Sequence, residues 1–168
     1  MRKLLALPLF ALTFAIPAMA ETRKGGNPEL RYYADAYADH YGVPRALVHA
    51  IIAQESDWNP LALSTKGAAG LMQLMPATAE DYLVRNRFSV TENLDGGIQY
   101  LADLMREFRG EMRLAVAAYY CGSRRIARQG LTYRNPDVVS YVEAVRRRYQ
   151  FELHEQADRD APTPGKGQ

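Results

Sequence analysis

Glu55 is the residue whose surroundings point to chemistry. Apolar side chains run along the segment before it at helical spacing. Leu47 and Ile51 form one row, with Gln54 next on it; Val48, Ile52 and Glu55 form the other. A carboxylate therefore closes a row that otherwise belongs to a core. Two effects favour its protonated form there. Burial disfavours the charge, and a helix C-terminus is the negative end of the helix dipole. A carboxyl group that keeps its proton near neutral pH can give it to a leaving oxygen. Splitting a glycosidic bond needs such a donor. On this pattern alone, a satisfied surface glutamate ending a helix fits as well.

The elements that must position Glu55 read as helices. Residues 28–41 form a first helix that stops before Gly42, and Pro44 opens a second, where a missing N–H costs nothing. Residues 57–66 hold Asn59-Pro60 and polar side chains and read as a loop. Gly67-Ala68-Ala69-Gly70 lets the backbone approach a neighbour closely. A short helix is expected over 77–83. Ser89 and Glu92 fit a capping box, followed by a stripe of Leu94, Ile98, Leu101, Met105 and Phe108. Residues 111–121 are apolar on several sides and predict a buried central helix. Asn135-Pro136 starts the last helix, with Val138, Val142, Val145 and Tyr149 inward and Arg146, Arg147 and Arg148 mostly outward. There is no strong alternation of polarity and no repeat. The expected fold class is mainly α, a single domain over 28–151 with a central buried helix. Residues 21–27 read as a flexible N-terminus and 152–168 as a disordered polar tail.

Arg2 and Lys3, an apolar run to Pro17 and the small-x-small site Ala18-Met19-Ala20 predict a signal peptide over 1–20. Cleavage leaves 148 of the 168 residues, exported and without stable membrane insertion. Taking Arg2 and Lys3 from the 21 basic side chains leaves 19, equal to the 19 acidic ones. This balance gives no support to nucleic-acid binding. His40, His49 and His154 lack metal-ligand spacing, and no nucleotide loop is present, so neither metal nor cofactor is expected. Cys121, the single cysteine, reads as a buried small hydrophobe.

The pair Glu55-Ser56, followed by Gly70-Leu71-Met72-Gln73-Leu74-Met75-Pro76-Ala77-Thr78-Ala79, resembles the lysozyme-like lytic transglycosylases of bacterial cell walls. Ala117-Ala118-Tyr119 and the segment from Asp137 to Val142 resemble later blocks of that family. The resemblance implies a lysozyme-like helical domain with Glu55 as its catalytic acid. It implies that Ser56 supports the active-site geometry, that Met72 and Gln73 line the sugar site, and that the Tyr119 hydroxyl is aimed at the glutamate. Where the family usually has asparagine, this chain has Tyr120, which suggests stacking in place of a polar contact. Trp58 either touches substrate or packs under the loop.

The implied substrate is the glycan strand of peptidoglycan, cut between N-acetylmuramic acid and N-acetylglucosamine to leave 1,6-anhydromuramic ends, in the periplasm or at the cell wall. A hydrolytic muramidase on the same scaffold is the nearest alternative; Asp57, Asp81 and Glu92 are the carboxylates available to activate water. A non-catalytic glycan-binding or scaffold component is another. Partnership with a secretion or conjugation machine is suggested by the resemblance alone.

Overall fold

The computed structural model describes residues 27–160. The expected signal peptide and residues 161–168 of the expected tail lie outside the described residues. Helix α1 spans Pro28–Tyr41. Asn27 caps it, its side chain accepting from the Glu29 amide at 2.9 Å, and Gly42 ends it in the left-handed region at φ 68°. Helix α2 spans Arg45–Glu55, with Pro44 one residue outside as the cap. Helix α3 is Pro76–Asp81 and α4 is Val90–Glu107. Helix α5 is Met112–Cys121, α6 is Ser123–Gln129, a single 3-10 turn follows at Gly130–Thr132, and α7 is Pro136–Asp160.

The described residues hold no β-sheet; isolated bridges pair Leu63 with Ala69 and Ala69 with Leu74 in the segment between α2 and α3. The domain is mainly α, as expected. Among the described residues no helix is long and apolar enough to cross a membrane.

Two helices share the centre. Ala115 to Ala118 of α5 are buried, and α5 packs against α4, α6 and α7. Helix α2 is buried more completely, without a break from Ala46 to Ile52, between α1 and α7. The second row expected to end on Glu55 is therefore a core row, with Val48 and Ile52 fully buried.

Three local readings differ from the sequence expectation. Ser89 does cap α4, its hydroxyl accepting from the Glu92 amide, but Glu92 does not return the bond. Its carboxylate instead accepts from the Arg85 and Asn86 amides at 2.8 and 2.9 Å, fastening the loop before the helix. Cys121 is half-buried at the end of α5, because the chain leaves the core at Gly122. The expected tail is a correction of more consequence. Helix α7 continues to Asp160, and Glu152, the first residue of that tail, is buried.

Candidate active site

Glu55 is the last residue of α2, with Ser56 as its C-cap. The side chain lies on a cleft of about 840 Å³, bordered by Ser56, Trp58, Gln73, Arg148 and Phe151. Burial pushes its carboxyl up to about 7, against an opposing hydrogen bond from Tyr141. The Tyr141 hydroxyl donates a short hydrogen bond to Oε1. Burial and the adjacent carboxylate hold that phenol well above its ordinary pKa, so it remains a donor.

Ser56 donates to the Leu71 carbonyl at 2.8 Å and lies 3.2 Å from the Ile52 carbonyl. It pins the end of α2 to the segment carrying Leu71-Met72-Gln73. The next two residues, Asp57 and Trp58, both have positive φ, at 49° and 63°, and turn the chain sharply away from the acid. Gln73 also has positive φ, at 48°. Its side-chain amide donates to the carbonyls of Ala62 and Gly70, at 3.1 and 3.0 Å, and closes the loop that walls the cleft.

Met72 is placed differently from the expectation. Its side chain is fully buried against Gly97, where a Cβ would stand 2.5 Å from its sulfur, and does not line the cleft. Its backbone does the positioning: the amide donates to Asn93 Oδ1 and the carbonyl accepts from the Tyr119 hydroxyl, both at 2.8 Å. Tyr119 thus donates its hydrogen bond to the Met72 carbonyl, and the phenol that donates to Glu55 belongs to Tyr141. The Tyr120 ring lies over Tyr141, with centroids 4.6 Å apart and planes 25° from parallel. Its other surroundings leave it 46% exposed, so an open aromatic face adjoins the Tyr141–Glu55 pair. Trp58 packs under the loop: its indole meets His49 edge-on at 5.2 Å and carries the Arg31 guanidinium 5.0 Å from its ring centre.

Sequence reasoning missed Tyr141 and Asn93. Tyr141 stood inside the quoted segment from Asp137 to Val142, but one helical residue among apolar neighbours looks like core. Asn93 is 1% exposed, and its amide donates to the carbonyls of Ala69 and Arg87, at 3.0 and 2.8 Å, besides accepting from Met72. A polar residue beside Leu94 at the start of an amphipathic stripe was the available signal.

The comparison with known families decides the relationship: the Transglycosylase SLT domain matches residues 32–141. This chain belongs to the Transglycosylase SLT domain family. It is 37% identical over 101 residues to a membrane-bound lytic murein transglycosylase F of Desulfosudis oleivorans, covering 56% of this chain and 22% of that protein. It is 31% identical over 122 residues to the soluble lytic murein transglycosylase of Escherichia coli, covering 65% of this chain and 19% of that one. An inactive mutant of the lytic transglycosylase Slt from Pseudomonas aeruginosa superposes with a TM-score of 0.68 at 25% identity, covering 80% of this chain and 25% of that one. The 70 kDa soluble lytic transglycosylase of Escherichia coli, at 23% identity and a TM-score of 0.67, shares the fold over 74% of this chain and 24% of its own. The chain thus spans about a fifth of the length of these two curated relatives. The SLT match contains Glu55, Ser56, Gln73, Tyr119 and Tyr141, the last at its final residue.

Proposed function

We propose that this SLT domain is a lytic transglycosylase that cuts the glycan strands of peptidoglycan between N-acetylmuramic acid and N-acetylglucosamine. The observation that carries this reading is Glu55, a carboxyl group whose pKa of about 7 lets it hold a proton on an open cleft. Tyr141 occupies Oε1, so the acid proton belongs on Oε2. That proton passes to the bridging oxygen as the bond breaks, and positive charge develops at C1 of the muramic unit. The sugar's own 2-acetamido oxygen stabilises C1, a substrate-assisted route. Glu55 is then a carboxylate, the form that the Tyr141 hydrogen bond favours. It takes the proton of the sugar's 6-hydroxyl, whose oxygen closes on C1 and leaves a 1,6-anhydro end. One group acts first as acid and then as base, and no water is consumed.

The carboxylates on the cleft support a lyase over an inverting hydrolase, which needs a second carboxylate held roughly 6.5–9.5 Å away to activate water. Glu152 also borders the cleft, but both its oxygens accept from Arg31 at 2.9 Å. Asp57 is exposed, and no hydrogen bond among the described residues fixes its carboxylate. This substrate puts the working protein in the periplasm or at the cell wall, in keeping with the leader read over 1–20.

Mass spectrometry of fragments released from purified peptidoglycan, beside Glu55→Gln, tests the reading. Anhydromuramic ends that vanish in the variant support it. Reducing muramic ends with the same dependence replace it with a hydrolase.

A further inference from the structure

Among the described residues, the side chains bordering the Glu55 cleft include one cation, Arg148, on the α7 wall. Its Nε donates to Gln54 Oε1 at 3.1 Å. Gln54 immediately precedes Glu55, so the end of α2 carries the acid and steadies the arginine. The partner is a neutral amide, and it uses only Nε. The two terminal nitrogens, which can grip a carboxylate together with good geometry, keep their donors. Among the described residues no carboxylate is within ion-pair distance of Arg148. Its neighbours differ. Arg146 pairs with Glu143 at 3.0 Å, and Glu152, one turn further along α7, is taken by Arg31. Phe151 lies about one turn from Arg148, borders the same cleft and is 55% exposed. The α7 wall therefore offers an unneutralised guanidinium beside an open aromatic ring, both facing the space where a glycan would lie.

That pairing suits an acidic group with an apolar portion, attached to the sugar chain. In an intact strand the lactyl carboxyl of muramic acid is tied up as the amide that carries the stem, so the sugars themselves offer no carboxylate. The peptide stem carried by the lactyl ether of muramic acid has both free carboxylates and alkyl side chains. We infer that Arg148 is a specificity residue that holds a stem carboxylate, with Phe151 covering the apolar part of the stem. The preferred substrate is then a strand with charged stems rather than a stripped one. The inference rests on the transglycosylase reading, and it concerns binding, leaving proton transfer to Glu55.

Three sets of purified glycan strands test it: stems with free carboxylates, stems with amidated carboxylates, and strands stripped by an amidase whose freed lactyl carboxyls are then amidated. The wild-type protein is expected to show kcat/KM roughly tenfold higher on charged stems than on stripped strands, mostly through KM, the effect of one charge-assisted pair. Amidated stems should behave like stripped strands, and added salt should raise KM for charged stems alone. Arg148→Gln should lose the preference, its ratio of kcat/KM on charged to stripped strands falling to about one, while a thermal unfolding curve like the wild type's shows that the variant folds. Arg146→Gln, whose side chain pairs outward with Glu143, should keep it. Equal rates on charged and amidated stems, or a preference surviving in Arg148→Gln, overturn the role of Arg148 and leave the transglycosylase reading standing. Failure of the wild type to cut any strand overturns both.

Discussion

The proton on Glu55 is governed by two opposed contacts, and each can be removed separately. Burial raises the carboxyl to about 7, while the Tyr141 hydroxyl pulls it down by stabilising the charged form. Activity that starts from the protonated acid should fall as pH rises through about 7, and the alkaline limb of kcat/KM reports that group. In Tyr141→Phe the pull downward is gone, so the limb should move to higher pH even as the rate drops from a less well oriented carboxyl. A limb that stays put or moves down would remove Tyr141 from this role. Glu55→Gln should lower turnover by roughly a thousandfold or more, the scale of an essential acid–base group. It should also stabilise the fold, with a definite pH dependence. A carboxyl whose folded pKa exceeds its unfolded value contributes most below the unfolded value of 4.5, and that contribution is lost as pH rises to about 7. Urea unfolding of the two proteins should therefore diverge between those pH values. The variant should gain on the order of 3 kcal/mol at pH 8, which follows from the size of the shift. Equal stability at pH 8 would mean that Glu55 is not desolvated.

At the scale of elements, the cleft is built where helix α2 ends against the segment from Gly67 to Met75, and that segment is held mostly by side chains from elsewhere. Asn93 of α4 satisfies the Met72 amide and the carbonyls of Ala69 and Arg87. Gly70 makes room for it: a Cβ there would stand 2.1 Å from the Arg87 carbonyl and 2.2 Å from the Asn93 amide nitrogen, and its φ of 81° is one that glycine adopts freely. Asn93→Ala leaves three buried backbone groups without this partner and should cost about 3 kcal/mol in denaturant unfolding. Activity at temperatures where the variant is still folded should fall as well, because the loop carrying Gln73 loses its anchor; full activity with the stability loss would limit Asn93 to the fold. These dependencies explain what could be read from sequence. The helices before and after Glu55 were legible because caps, prolines and apolar periods are local: Gly42, Ser89 and Asn135 all mark ends that the structure keeps. The acid at the end of a core row was legible for the same reason. The short helix α6 was not, since its seven residues bury only Ile126 and show no period. Nor was the partner of Glu55, because Tyr141 reaches it across 86 residues of chain and two tyrosines near the site, Tyr119 and Tyr141, differ only in where their helices aim them.

The whole molecule is closed by a buried polar cluster joining its first, second and last helices. Arg31 of α1 donates to both oxygens of Glu152 on α7, each at 2.9 Å, and one of its nitrogens lies 2.9 Å from His49 Nδ1 on α2. His49 Nε2 approaches Asp35 Oδ1 to 2.8 Å. The cluster sits beneath Trp58, so it also supports the strained turn that follows the acid. Its charges explain why the last helix runs on where the hydrophobic pattern has faded: the stretch after Phe151 is fastened by an ion pair that no apolar period reveals. Burial alone would raise the Glu152 carboxyl, but hydrogen bonding and positive charge from His49 and Arg31 outweigh it and hold the group at about 2. The sign of the linkage follows. A depressed folded pKa contributes stability above the unfolded value of 4.5, and the contribution is lost as pH falls toward about 2. Glu152→Gln keeps the volume but leaves the buried Arg31 charge without its carboxylate, which should cost about 3 kcal/mol at pH 7. Urea midpoints of wild type and variant should be far apart at neutral pH and should converge as pH falls from 4.5 toward 2, where the wild-type carboxyl is itself protonated. Constant separation across that range would show that the two proteins differ by packing and that the charge on Glu152 holds nothing together. Because Glu152 and Glu55 border one cleft, activity should track this unfolding only when α7 detaches, so a variant measured well below its melting temperature should still cut glycan with its alkaline limb near pH 7.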